Sequence, residues 1–133
     1  FISRDNPLAM KKKLTMEDLK PYPFIQYEQG NEGSFYFAEE AVWPDYAPKQ
    51  INVTDRATIL NFIIGLNGYT VCTGIDNGDL NNERIVTVPL ESDETMLLGW
   101  ITNERAKLSH PAQIYLDKLK EVIAEHGYTI LSE

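Results

Sequence analysis

The spacing of apolar and polar residues along this chain predicts strands and helices that follow one another in alternation. Runs rich in β-branched and aromatic residues predict five strands, at residues 24–27, 50–54, 69–73, 85–88 and 95–103. Helical spacing of apolar residues predicts four helices, at residues 15–19, 35–46, 56–66 and 110–125. This alternation favours an α/β fold in which a mainly parallel sheet is flanked by helices.

Capping residues predict where the first and third helices begin and end. Thr15 can cap the free N–H groups of the first helix. Gly65 and Gly68 bracket the end of the third helix, where glycine adopts a left-handed backbone easily. The buried stripe of the third helix is predicted to consist of Ile59, Phe62, Ile63 and Leu66.

The last predicted helix has the sequence signals of both its ends. Pro111 lies near its first turn and Gly127 follows its last. Its apolar face is predicted to consist of Tyr115, Leu119, Val122 and Ile123.

Composition limits the classes of partner. Twelve Lys and Arg against twenty Asp and Glu give a formal net charge of −8, which repels phosphate backbones. No apolar run reaches the roughly 18 residues that a membrane span needs, so no membrane partner is expected.

The single cysteine, Cys72, lies in an apolar run and is interpreted as a small core residue; low cysteine use is typical of the cytoplasm. The first residues do not read as a signal peptide, and the absence of an initial Met suggests a fragment of a longer protein.

Several short phrases occur along the chain in an order that resembles a known family. They are Asn6-Pro7-Leu8-Ala9, the Glu17-Asp18-Leu19 helix followed by Pro23-Phe24-Ile25, Gly65-Leu66-Asn67-Gly68, Ile85-Val86-Thr87-Val88-Pro89-Leu90, and Leu108-Ser109 before the last helix. In this order they resemble the second half of the effector-binding domain of LysR-type bacterial transcription regulators. The chain departs from the family's pattern at Asn6, which replaces His, at Asn67, which lengthens the Gly-Leu-Gly turn, and at Gly74, which replaces Pro.

The resemblance implies a single effector-domain fragment over residues 1–133, with a fold like the type II periplasmic binding proteins. Residues 9–93 would form the second subdomain, and residues 95–127 would be a returning strand and final helix. The family binds a small effector in a cleft between two subdomains, assembles as dimers or tetramers in the cytoplasm, and contacts DNA through a winged helix-turn-helix outside this chain. The final helix would then lack its usual partner and pack elsewhere or against another copy.

Three places are candidate effector-binding sites because ligands of open α/β sheets bind beyond the carboxyl ends of the strands. The first holds Thr54, Asp55 and Arg56, where the start of a helix favours an anion such as a carboxylate. A helix cap at Thr54 or Asp55 is the alternative, and it is favoured for Asp55, whose charge would repel an anion.

The second and third places are loops. Gly74, between Thr73 and Ile75, would let a ligand approach the backbone, unless it is an ordinary turn glycine. Gly33 and Ser34 open the predicted second helix and could line the cleft, with a plain loop as the alternative.

The sequence predicts no catalytic residue, metal site or cofactor. His110 and His126 have no ligand partner at metal-binding spacing, and residues 76–79 fail the calcium-loop spacing at Leu80. Nucleophile-elbow, P-loop and dinucleotide motifs are absent. An enzyme would have to use Cys72 with one of the histidines, and nothing in the sequence brings them together. The main alternative to a regulator is a periplasmic-type solute-binding protein of similar fold.

Overall fold

The computed structural model describes residues 1–28, 48–75, 83–93, 97, 99–103, 105 and 107–130. The chain divides into two compact units, Phe1–Met96 and Leu97–Glu133. The helix predicted at residues 35–46 and the candidate residues Gly33 and Ser34 lie outside the described residues. The described residues form a small mixed α/β structure with short strands.

The first unit contains two pairs of short strands. β2 (Phe24–Tyr27) and β3 (Gln50–Val53) are parallel, in the register that sets Tyr27 opposite Val53. β1 (Ile2–Ser3) and β4 (Ile85–Val86) are antiparallel. The prediction of a mainly parallel sheet is therefore confirmed only for β2 and β3.

Tyr69 joins the two strand pairs. It forms a parallel bridge with Phe24 on one side and an antiparallel bridge with Ile2 on the other. Its carbonyl accepts the Ile25 N–H at 2.8 Å, and its own N–H donates to the Pro23 carbonyl at 3.0 Å. The order across the sheet is thus β3, β2, Tyr69, β1, β4.

The other predicted strands are shorter than expected or are not strands. Of residues 69–73, only Tyr69 bridges to neighbours, and of residues 85–88 only the first two form β4. Residues 97 and 99–103 are not in a strand. Isolated apolar runs satisfy the strand pattern locally, but a strand forms only where a second backbone is present to pair with it.

Short helices follow the strands of the first unit. A 3₁₀ helix spans Pro7–Met10, and α1 spans Met16–Leu19. Thr15 caps α1 as predicted: its hydroxyl accepts the Asp18 N–H, and its own N–H donates to the Asp18 carboxylate at 3.1 Å. This reciprocal capping box satisfies two donors at the helix start.

α2 (Arg56–Gly65) packs against the sheet through Ile59 and Ile63, which are buried. Phe62 is half-buried, but Leu66 is exposed, so the predicted stripe was wrong at its last position. The left-handed residue after the helix is Asn67, with φ 53°, rather than Gly65 or Gly68. The helix ends one residue earlier than predicted, so Leu66 lies outside it and does not continue the buried stripe.

The core of the first unit consists of two clusters of buried residues. One cluster contains Ile2, Leu8, Leu14, Leu19, Phe24 and Tyr69. The other contains Ile25, Val53, Ile59, Ile63 and Ile85. Neighbours along β2, Phe24 and Ile25, belong to different clusters because successive side chains of a strand point to opposite faces.

The second unit contains α3 (His110–Glu125), with the predicted bounds. Ser109 caps it, Pro111 lies in its first turn, and Gly127 has a φ of 79° after its end. The predicted apolar face was wrong at Tyr115, which is exposed, and it missed Leu116, which is buried. The Lys120 amine lies 5.0 Å from the centre of the Trp100 ring, a cation–π contact that ties residue 100 to the helix.

Across the described residues, no helix combines the length and apolarity that a membrane crossing needs.

Candidate functional site

The candidate site is the carboxyl edge of the parallel part of the sheet. β2 and β3 run in the same direction and end at the same edge, where Tyr27 lies opposite Val53. The Tyr69 bridge is parallel to them but pairs with Phe24, at the start of β2. Residues 54–56 follow β3, and residues 73–75 follow the Tyr69 bridge. Neighbouring strands lie about 4.8 Å apart, so β3 and the Tyr69 bridge, on either side of β2, are about 10 Å apart.

Asp55 is the residue that caps α2. Its Oδ1 accepts the Thr58 N–H at 2.8 Å, and its Oδ2 accepts the Thr58 hydroxyl at 2.6 Å. These hydrogen bonds to Thr58 hold the pKa of Asp55 below its ordinary value. The cap role is thereby shown for Asp55, and Thr54 is not the cap. A bound anion would have to find its donors at other groups of this edge, since Asp55 already occupies the Thr58 N–H.

Replacing Asp55 with alanine should lower the melting temperature, since Thr58 loses both of its hydrogen-bond acceptors. Asp55→Asn keeps an oxygen acceptor and should lose less. Because folding lowers the Asp55 pKa, its charge stabilises the protein above the unfolded-state pKa, and this stabilisation is lost as pH falls through the folded-state value. The gap between wild type and Asp55→Asn should therefore close in acid. Melting curves across pH test this, and a gap that widens in acid would contradict it.

Arg56 supplies a positive charge at the carboxyl edge, and Tyr27 holds it there. The guanidinium carbon lies 5.4 Å from the centre of the Tyr27 ring, a cation–π distance. Tyr27 is the last residue of β2 and pairs with Val53, one residue before Thr54. Tyr27 was not among the predicted site residues, although an aromatic residue at the end of a predicted strand on this edge could have indicated it.

The turn at residues 73–75 has the backbone that its glycine allows. Gly74 has a φ of 80°, which side chains other than glycine rarely adopt. The Ile75 N–H donates to the Thr73 hydroxyl at a long 3.5 Å. Cys72 and residues 73–75 are all half-buried, so Cys72 is less enclosed than expected for a core residue. The turn glycine is explained by its conformation, and its contact with a ligand stays a prediction.

The side chains next to this edge include a cation, an aromatic ring and hydroxyls. Arg56 can pair with a carboxylate, Tyr27 offers a ring face, and Thr54 and Thr73 offer hydroxyls. Within the described ranges, no three His, Cys, Asp or Glu side chains are grouped as a metal site would require. His126 is engaged at the end of α3, where its Nδ1 lies 2.8 Å from the Val122 carbonyl oxygen, and His110 begins the same helix.

Comparison with known proteins gives no relative from which a role could be transferred: no protein-family model, no curated protein and no solved structure matches this chain.

Proposed function

We propose that this chain is the ligand-sensing part of a LysR-type bacterial transcription regulator, and that it binds a small anionic effector at the carboxyl edge. The observation that supports the proposal is the parallel pairing of β2 with β3, since Thr54, Asp55 and Arg56 then follow the carboxyl end of β3, next to Tyr27 at the end of β2. The ordered family-like phrases along the chain support the same function.

An anion at this edge would meet one positive side chain. The Asp55 carboxylate accepts hydrogen bonds from Thr58, and the Arg56 guanidinium lies over the Tyr27 ring. The planar guanidinium of arginine presents paired N–H donors, which suit the two oxygens of a carboxylate. In a longer regulator, the effector would act by preferring one of two arrangements of a cytoplasmic dimer or tetramer.

The binding half of the proposal is tested by titrating the chain with small carboxylic acids and with their neutral amides. We expect some acids, but not their amides, to raise the melting temperature, since a ligand stabilises the state that binds it. Arg56→Gln should weaken binding of an active acid by about tenfold or more, the size expected for a charged hydrogen bond. Arg105→Gln, in the second unit, is the matched control and should leave binding unchanged.

The regulatory half of the proposal is tested separately, on the gene. We expect the reading frame to encode a winged helix-turn-helix together with this chain, and the effector to change operator binding by the full protein. A secretion signal in that frame would favour a solute-binding protein instead. If no acid binds, or if Arg105→Gln weakens binding as much as Arg56→Gln, the carboxyl edge is not the effector site.

A further inference from the structure

Asn67 and Gly68 form the turn that follows α2, and together they are a chemically reactive pair. The chain contains two Asn-Gly pairs, at residues 67–68 and 77–78, and the second lies outside the described residues. In such a pair the backbone nitrogen of glycine can attack the side-chain amide carbon of asparagine, since glycine has no side chain that would hinder the approach. Asn67 is therefore a candidate for spontaneous modification.

The reaction is deamidation, and its only co-reactant is water. Hydroxide first removes the proton of the Gly68 N–H, and the nitrogen then bonds to the side-chain amide carbon of Asn67. That carbon releases its amine group, which takes up a proton and leaves as ammonia, and a cyclic succinimide remains. Water opens the succinimide at either of its two carbonyl carbons, which gives aspartate or isoaspartate at residue 67. Removal of the Gly68 proton is thus the first step.

The fold holds this proton in a hydrogen bond. Asn67 has a left-handed φ of 53°, and the Gly68 N–H donates to the Ile63 carbonyl at 3.1 Å. These two features are those of a Schellman motif, which closes the carboxyl-terminal end of a helix. Ile63 and Gly68 are buried, whereas Asn67 is exposed. The Asn67 side chain is therefore open to water, but the nitrogen that must attack it belongs to a buried, hydrogen-bonded residue.

Gly68 has little room to turn toward the Asn67 side chain. A Cβ built on Gly68 would lie 2.5 Å from Ile25 Cδ1 and 2.9 Å from the Pro23 carbonyl oxygen, so this backbone lies directly against β2 and the residue before it. Release of the Gly68 N–H would also break the hydrogen bond that closes the turn, in a buried place where an unpaired polar group is costly. Attack by Gly68 therefore requires the turn to open.

From these observations we infer that Asn67 is a modification site protected by the fold, and that it deamidates when the turn after α2 opens. The modification is independent of effector binding. Its products disfavour closure of the turn. Isoaspartate adds a carbon atom to the main chain between residues 67 and 68, where Ile25 leaves no space for it. Aspartate puts a negative charge at the carboxyl-terminal end of α2, which the helix dipole disfavours. An opening of the turn is thus recorded in the covalent chain.

Peptide mass spectrometry of the whole chain, incubated at mildly alkaline pH, tests the protection. In urea, where the chain is unfolded, we expect Asn67 to deamidate readily, with the pair at residues 77–78 as the internal standard for the local chemistry. In buffer, deamidation of Asn67 should be slower than in urea by about tenfold or more, since a closed region exposes its amides only on opening. Equal rates at Asn67 in the two solvents, or an unmodified Asn67 in urea, overturn the inference.

Two variants in α2 separate protection by the turn from the local chemistry of the pair. Ile63→Ala removes packing beneath the turn and should speed deamidation of Asn67 in buffer by about tenfold or more. Gly65→Ala strengthens the end of the helix and should slow it by up to about fivefold. Both should match wild type in urea, because neither changes Asn67 or Gly68. Circular dichroism shows that each variant is folded in buffer. If neither variant changes the rate in buffer, the turn does not control the modification.

Amide hydrogen exchange gives an independent readout of the same opening. Exchange of the Gly68 N–H and deamidation of Asn67 both begin when hydroxide removes that proton, so both should respond to the two variants in the same order. The Gly68 amide should be protected in wild type, less protected in Ile63→Ala and more protected in Gly65→Ala. A Gly68 amide that exchanges as fast as in urea, beside an unmodified Asn67, would show that the turn is not what protects this residue.

Discussion

Gly68→Ala is expected to lower the free energy of unfolding by about 3 kcal/mol, at the upper end of the cost of overpacking a core. A Cβ added at residue 68 would lie 2.5 Å from Ile25 Cδ1 and 2.9 Å from the Pro23 carbonyl oxygen. Ile25 is fully buried, and the Pro23 carbonyl accepts the Tyr69 N–H, so neither can move without cost. Urea unfolding followed by far-ultraviolet circular dichroism measures the change.

Gly65→Ala is the matched control for Gly68→Ala. Gly65 is the last residue of α2, and nothing lies within 4 Å of the Cβ that alanine would add there. Because alanine favours the helix over glycine, this variant should be more stable than wild type by up to about 1 kcal/mol. The two substitutions add the same methyl group three residues apart. Equal losses of stability would mean that backbone conformation, rather than the contact with Ile25, makes glycine necessary at residue 68.

Both glycines were predicted to end α2 because glycine adopts a left-handed backbone easily. The structure shows a different reason for glycine at residue 68. The left-handed position is taken by Asn67, whose side chain tolerates it better than most. Gly68 is needed because the chain passes close to β2 just before Tyr69 enters the sheet. A close approach between residues 25 and 68 depends on tertiary packing, and no local pattern around Gly68 encodes it.

Elements with local signals were predicted best. These elements are the Thr15 cap, the helix predicted at residues 110–125 and the strands predicted at residues 24–27 and 50–54, the last of which ends at Val53. Their signals are hydrogen bonds or periodicity within a few residues of each element. The lengths of the other strands were predicted poorly, because a strand ends where its partner ends. β1, only two residues long, was not predicted, and it supplies the antiparallel partner of both Tyr69 and β4.

The positions of the candidate effector-binding residues, though not their role, were predicted in part. Thr54, Asp55 and Arg56 follow a strand that the sequence identified, and the rule for parallel strands then assigns them to the carboxyl edge. The contribution of Tyr27 depends on the register that pairs it with Val53, which a sequence pattern does not reveal. The sequence favoured Asp55 over Thr54 as the helix cap, and the hydrogen bonds from Thr58 confirm it.

Ile63→Ala is the second substitution with a large expected effect, a loss of about 3–4 kcal/mol in the free energy of unfolding. Ile63 is fully buried and packs with Ile25, Val53, Ile59 and Ile85 between α2 and the sheet. Removing its outer carbons leaves a cavity whose rigid walls, a sheet and a helix, cannot collapse to fill it.

Leu66→Ala tests whether the buried apolar stripe of α2 ends before Leu66, as it does in the structure. Leu66 follows the same helical spacing as Ile63, yet it is 49% exposed. The substitution should therefore cost less than about 1 kcal/mol. Urea unfolding of both variants compares the two positions directly. If Leu66→Ala cost as much as Ile63→Ala, α2 would have to continue past Gly65 and turn Leu66 onto the sheet. The turn at Asn67, and with it the entry of Tyr69 between β2 and β1, would then be misplaced, because both depend on α2 stopping at residue 65.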